Sequence, residues 1–321
     1  MAGQIQRLRE RIQTTTQLQS VVDTIRALAE VNVRRAQAAA RDAEQYARTV
    51  HVALHVALRA VSRQDRRRRF ASEVRRAAPV PLVAVVVTSD QGLCGAFHHR
   101  ITSYALDFLA REAPDKSQRS VIAVGYRGFE KLKAAGETIL AYCDGAGSTE
   151  AIPSVVSQVL LALDDPLRSS RLGRLVVMAN RPEPGGGFRE THFQLYPFDA
   201  RRFLALPAGE PPFRTVPRHD LDPRALLQQL VREQLYVDLW QALVDSFVAE
   251  NSARLSAMRT AADNIEDRLV ELQAEYRRQR QEWITQELMD VMGGVEAARA
   301  MAEAKAAGAA RGGVADAACR R

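Results

Sequence analysis

Apolar and small residues recur along the first sixty positions in alternating steps of four and three: Leu18, Val22, Ile25, Ala29, Asn32, Ala36, Ala39, Ala43, Tyr46, Val50, Ala53 and Ala57. This heptad seam is the pattern of a helix laid against another helix. Alanines fill its middle, and small seam residues let two helix axes approach closely. A second seam runs through Asn251, Leu255, Met258, Ala262, Ile265, Leu269, Leu272 and Tyr276. It then shifts phase to Ile284, Leu288, Val291 and Val295, a change that often accompanies the end of a pairing. Between the arms the period changes. VPLVAVVVTSD is a continuous apolar run of the kind buried in a parallel sheet. After it come a glycine loop (QGLCG), a helical stretch (FHHRITSYALDFLAR), strand RSVIAVGY, helix RGFEKLKAAG, strand ETILAYC, helix IPSVVSQVLLAL and strand GRLVVMAN. That alternation predicts βαβ units with right-handed crossovers. GGGFRETHFQLYPF alternates after a glycine turn and predicts a closing hairpin.

Helix breakers draw the same boundaries. Neither glycine nor proline occurs from Gln4 to Ala78 or from Arg224 to Met292, while twelve of the eighteen glycines lie between. Asp222 and Pro223 are a natural N-cap and first-turn residue for the second arm. The fold class predicted is α/β: a long antiparallel coiled coil of N- and C-terminal helices with an inserted βαβ, Rossmann-like domain. The predicted segments are a coiled-coil helix over 1–78, an α/β domain over 79–222, a coiled-coil helix over 223–294, and a disordered or loosely helical Ala/Arg-rich tail over 295–321. At about 1.5 Å per residue, a 70-residue helix extends about 100 Å, so part of the molecule is expected to be a rod.

Charge sharpens the picture. The net charge is +7, yet the first arm is basic, the second acidic and the middle neutral, which suits two arms lying together. The basic run SRQDRRRRFASEVRR raises a nucleic-acid reading, but no reading motif or aromatic platform accompanies it. Three cysteines without metal spacing fit a reducing compartment. No apolar run approaches the ~20 residues of a membrane span, and the start lacks a signal-peptide core.

The glycine loop is the place to look for chemistry. SDQGLCGAF sits at a strand-to-helix turn, where backbone amides favour anions. It matches neither G-x-G-x-x-G nor the P-loop, and no lysine sits where a P-loop needs one. Cys94 stands at a helix start with His98 and His99 four and five residues on, close enough for either to approach it. The plainer reading is a small packed side chain in a tight turn. Adjacent histidines cannot share a helix face, and no third metal ligand accompanies them. No catalytic residue, metal site or cofactor is predicted.

Three segments together resemble the gamma subunit of the F-type ATP synthase. Leu8-Arg9-x-x-Ile12 leads to Arg34-Arg35-Ala36-Gln37, and Thr88-Ser89-Asp90-Gln91-Gly92-Leu93-Cys94-Gly95 is close to the family's S-D-x-G-L-C-G turn. The most specific stretch is Glu250-Asn251-Ser252-Ala253-Arg254-Leu255-Ser256-Ala257-Met258, continued by Asp263-Asn264, Leu272, Tyr276, Arg280-Gln281 and Ile284-Thr285-Gln286-Glu287-Leu288. Departures are Asp23 and Ile25 where the family has Lys and Met, Trp283 in place of a small residue, and a tail some 25 residues past the usual end.

The resemblance implies a central rotor shaft without an active site of its own. Its coiled coil would stand inside a hexamer of alpha and beta subunits, with the middle domain near the epsilon subunit and the membrane c-ring. It also implies that Arg254, Gln281 and Thr285 contact beta-subunit loops, and that Ile25, Ala36, Asn251, Met258 and Ile265 belong to the shaft. The place implied is the cytoplasmic face of a bacterial inner membrane. The departures point to a divergent or alternate complex, the sodium-translocating kind included. Two readings from other classes stand beside it: a cytosolic βαβ enzyme using the QGLCG turn, and a basic coiled-coil nucleic-acid binder.

Overall fold

Strand β1 (Leu82–Val87) is buried at every position, as its unbroken apolar run requires. In this computed structural model, which describes residues 2–61, 81–168, 172–183, 187–206 and 221–318, it is the central strand of five. Helix α1 (Ala2–Ala60) precedes it. There follow α2 (Phe97–Glu112), β2 (Arg119–Val124), α3 (Tyr126–Ala134), β3 (Ile139–Cys143), α4 (Ile152–Arg168), β4 (Arg174–Pro182), β5 (Phe188–Tyr196) and α5 (Pro223–Ala318). The sheet order is β3-β2-β1-β4-β5. All neighbours run parallel except β4 and β5, the antiparallel hairpin expected from the sequence. The arginine-rich run at 62–76 lies outside the described residues.

The chain divides into two compact units, residues 24–260 and residues 1–23 with 261–321. In the larger unit, the period of two along β1 sends alternate residues to opposite faces. Leu82, Ala84 and Val86 meet Ile101, Ala105, Phe108 and Leu109 of α2 and Leu132 of α3. Val83, Val85 and Val87 meet Val155, Val156 and Val159 of α4, together with Leu239, Leu243 and Phe247 of α5. Ala36 of α1 joins that second cluster. A length of α5 is therefore one layer of the α/β sandwich as well as a coiled-coil strand. A third cluster joins Val50, Leu54 and Leu58 of α1 to Leu227 and Val237 of α5 and to Phe203.

The pairing of α1 with α5 is antiparallel here. Asn32 reaches Asn251 at 3.3 Å, whereas Tyr46, further along α1, reaches Glu233, earlier in α5, at 2.6 Å. Seam positions Ala29, Ala36, Val50 and Ala57 are buried, Ile25 is half-buried, and Tyr46 is 48% exposed. Asp222 caps α5 as its sequence predicts, its carboxylate accepting from the Ala225 amide at 2.9 Å.

The smaller unit is all helix. Leu8 of α1 and Ala262, Leu269 and Leu272 of α5 are buried, and Ile265 is half-buried. Leu18, a seam position, is exposed, as are Ile284, Leu288, Val291 and Val295 after the phase shift. Helix α5 runs on through Ala318. Gly293 and Gly294 do not end it, because a glycine costs a helix only about 1 kcal/mol against alanine and the flanking residues are strong helix formers.

Candidate functional site

The turn after β1 is built around one threonine and one aspartate. The Thr88 hydroxyl donates to the Val124 carbonyl at 2.7 Å and accepts from the Gly128 amide at 3.0 Å. Glycine is required opposite it. A Cβ on Gly128 would lie 2.4 Å from the Thr88 side chain, and one on Gly125, at φ +90°, would lie 2.6 Å from the Ser89 nitrogen. Asp90 accepts from the Tyr126 amide at 2.7 Å with one oxygen and from the Gly145 amide at 2.9 Å with the other. The amide at the start of α3, which a bound phosphate would seek, is thus taken by the chain's own carboxylate.

The other half of the nucleotide crevice is also filled. In open parallel sheets ligands bind beyond the carboxyl ends of the strands, where the strand order reverses, here between β1 and β4. Helix α5 occupies that place. Ala249 packs on Cys94 and Phe97, and Arg254 donates to the Gly92 carbonyl at 3.3 Å.

Cys94 and His98 do come together, sulfur to Nε2, at 3.1 Å, while His99 points to solvent. Nε2 also lies 3.0 Å from the Gln91 carbonyl, so it carries the proton and donates there. Burial pushes the Cys94 thiol up to about 11, helped by Glu250, and burial pulls His98 down. Both groups are therefore held neutral, the opposite of the thiolate–imidazolium pair that a cysteine nucleophile needs. The plainer reading of Cys94, a packed turn residue, accounts for this geometry.

The three residues that the resemblance marks for partner contact divide. Gln281 and Thr285 lie one turn apart on the exposed end of α5, in the smaller unit; the Thr285 hydroxyl donates back to the Gln281 carbonyl at 2.9 Å. Arg254 lies in the larger unit. It is 7% exposed, and its guanidinium is engaged with Glu250 (2.6 Å), Asn251 (3.2 Å) and the Gly92 carbonyl. Its donors serve the chain itself, because it stands where α5 crosses the turn after β1. Asn251 and Met258 are buried beside it. Trp283 is half-buried and lines a groove with Tyr276, Arg280, Ile5, Gln6 and Arg9, so it faces α1 within the smaller unit.

Among the described residues no group of three or more His, Cys, Asp or Glu side chains is placed to hold a metal ion. The structure shows a sheet domain fastened to a long helix whose last turns are exposed. Comparisons agree with that construction. The ATP synthase family pattern matches residues 4–298. The ATP synthase gamma chain of Anaeromyxobacter sp. (strain K) is 28% identical over 292 residues, 90% of this chain and 97% of that protein. The ATP synthase gamma chain of Legionella pneumophila (strain Corby) is 26% identical over 304 residues, 92% of this chain and all of that one. In fold, the chain is similar to one in the Euglena gracilis mitochondrial ATP synthase OSCP/F1/c-ring structure, with a TM-score of 0.59 and 17% identity over 94% and 96% of the two chains. A rotor chain of the same Euglena enzyme gives a TM-score of 0.56 at 15% identity, over 88% and 100%. The chain belongs to the ATP synthase family, among the gamma chains that form the central rotor stalk of the F-type enzyme.

Proposed function

We propose that this chain turns inside an alpha/beta hexamer and couples ion flow through a membrane c-ring to ATP synthesis or hydrolysis on the beta subunits. The epsilon subunit would sit beside the α/β domain, at the cytoplasmic face of a bacterial inner membrane. A rotor performs no bond chemistry. It biases the conformations of its neighbours, because each face it presents makes different contacts with each of their states, and a partner shifts an equilibrium only by such differences. The observation that carries this reading is the exposed end of α5. Ile284, Leu288, Val291 and Val295 form an apolar stripe with Gln281 and Thr285 beside it, all of them exposed in the isolated chain. A stripe of that kind marks a surface meant for a partner.

Gln281 and Thr285 are the proposed beta-subunit contacts at the exposed end of α5. The enzyme alternative has the weaker support, since Asp90 and α5 fill the places where a nucleotide would bind. The test is co-expression with alpha and beta subunits. Co-purification as a hexamer-bound chain, with ATPase activity that falls in Gln281→Ala and Thr285→Ala, is the expected result. A chain that stays monomeric and turns over a nucleotide by itself would overturn the reading.

A further inference from the structure

A rotor needs its α/β domain locked to its helices against twist, and the larger unit contains a group of side chains suited to that. Apolar packing of Ala249 on Cys94 and Phe97 resists separation. It is non-directional, however, and yields to sliding. Directional bonds resist shear, and charge-assisted ones do so best. At this level three pieces of the fold are tied by one polar chain. Asn32 of α1 donates to the Asn251 side-chain oxygen, Oδ1, at 3.3 Å, and Arg254 donates to that same oxygen at 3.2 Å. Arg254 then reaches across to the Gly92 carbonyl of the turn after β1, at 3.3 Å from Nη2 and 3.4 Å from Nε. Glu250 neutralises it at 2.6 Å, and the Asn251 amide is anchored on the Phe247 carbonyl at 2.9 Å.

The acceptor is as firmly held as the donor. Gly92 lies between Asp90, which is bonded at both oxygens, and Leu93 and Gly95, which take left-handed backbone angles of +62° and +59°. Besides the Ser89 side chain, which bonds Glu250, polar attachments of α5 to the domain among the described residues include Arg181–Asp245 at 3.2 Å and Arg202–Asp238 at 3.6 Å. Their arginines are 61% and 53% exposed, whereas the Arg254 and Glu250 side chains are 9% and 8% exposed. Exposed pairs are screened and contribute little. The buried polar attachment is therefore concentrated at the Arg254–Glu250 pair.

We propose that Arg254, braced by Glu250 and Asn251 and bonded to the Gly92 carbonyl, is the shear-bearing joint through which the α/β domain transmits twist to the paired helices. This makes Arg254 a positioning residue inside the rotor, and it rests on the rotor reading given above.

The test replaces the pair by apolar residues of similar volume, Glu250→Leu with Arg254→Met, a change that buried ion pairs often tolerate without loss of stability. A probe bead is fixed through Leu161→Cys on α4, an exposed position, in a Cys319→Ser background, with the chain assembled in its alpha/beta hexamer. The readout is the angular fluctuation of the bead when turnover is stopped by a non-hydrolysable nucleotide. The expected result is an angular variance raised about twofold or more by loss of the directional attachment, with a melting temperature near that of the parent chain. Arg254→Lys, which keeps the charge but loses the fork that spans three acceptors, is expected to fall between parent and double variant, and serves if the double variant does not assemble. Variance equal to the parent's in either assembled variant would overturn the joint. Failure of the parent chain itself to rotate would instead overturn the rotor reading.

Discussion

The same two helices do different work in the two units. In the larger one, α5 between Leu239 and Met258 is buried on the sheet and against α1, and even its charged residues Glu250 and Arg254 are enclosed. In the smaller one, few residues of α5 are buried and the stripe beyond Ile284 is open. Burial within the chain spends a side chain on folding, and exposure leaves it for a partner. The family resemblance by itself does not make this division, since it assigns Arg254, Gln281 and Thr285 the same role.

Core substitutions should divide the units most sharply. Ile122→Ala, at a fully buried position of β2, should cost about 2–5 kcal/mol of unfolding free energy in urea denaturation. Leu288→Ala, equally apolar but 59% exposed, should change it by less than about 0.5 kcal/mol. Comparable losses at both positions would show that the stripe is packed within the chain.

Glycine substitutions should change sign between units. Gly128→Ala forces a Cβ to 2.4 Å from Thr88 and should destabilise by about 1–3 kcal/mol. Gly293→Ala meets open space in a helix and should stabilise that helix by up to about 1 kcal/mol, read as increased amide-exchange protection around it. A helix that frays equally in both chains would count against this account of the tail.

Acidity should expose the cost of enclosing Glu250. Burial raises its folded pKa; the nearby Asp90 adds to the shift, while Arg254 and Ser89 oppose it. The native state then binds more protons than the unfolded chain between the ordinary carboxylate value and the raised one. Glu250 therefore subtracts stability as pH rises through that window, and the subtraction is complete on its alkaline side. Glu250→Gln, measured against the parent by denaturation, should gain relative stability as pH rises from the ordinary carboxylate value through the raised one. A constant or falling difference would contradict the direction of the shift.

Gln281→Ala and Thr285→Ala should give the smallest stability effects, less than about 0.5 kcal/mol, while lowering the ATPase rate of the assembled complex. A large stability loss with normal turnover would make these side chains structural.

Most of the fold was legible from period and punctuation. The five strands stood out as apolar or alternating runs bounded by glycine, and α5 announced its start at Asp222. Three matters were not legible. Leu239, Leu243 and Phe247 are buried on the sheet, yet a helix apolar on several faces gives no sign of which neighbour covers each. Arg254 reads as a surface group beside a seam, because only the tertiary fold brings the Gly92 carbonyl to it. Asp90 was visible as part of a motif, but its two amide partners lie 36 and 55 residues away in sequence. Against these, the approach of His98 to Cys94 followed from their i, i+4 spacing. Its meaning did not, since the protonation of both groups is set by burial.

The central claim is that this chain is a shaft whose α/β domain turns as one body with α5. The most direct measurement attaches the bead through Leu161→Cys and watches the complex with alpha and beta subunits hydrolyse ATP. Sustained rotation in one direction, at a rate that follows ATP turnover, is the predicted result. Turnover at an undiminished rate with a stationary bead would contradict the account.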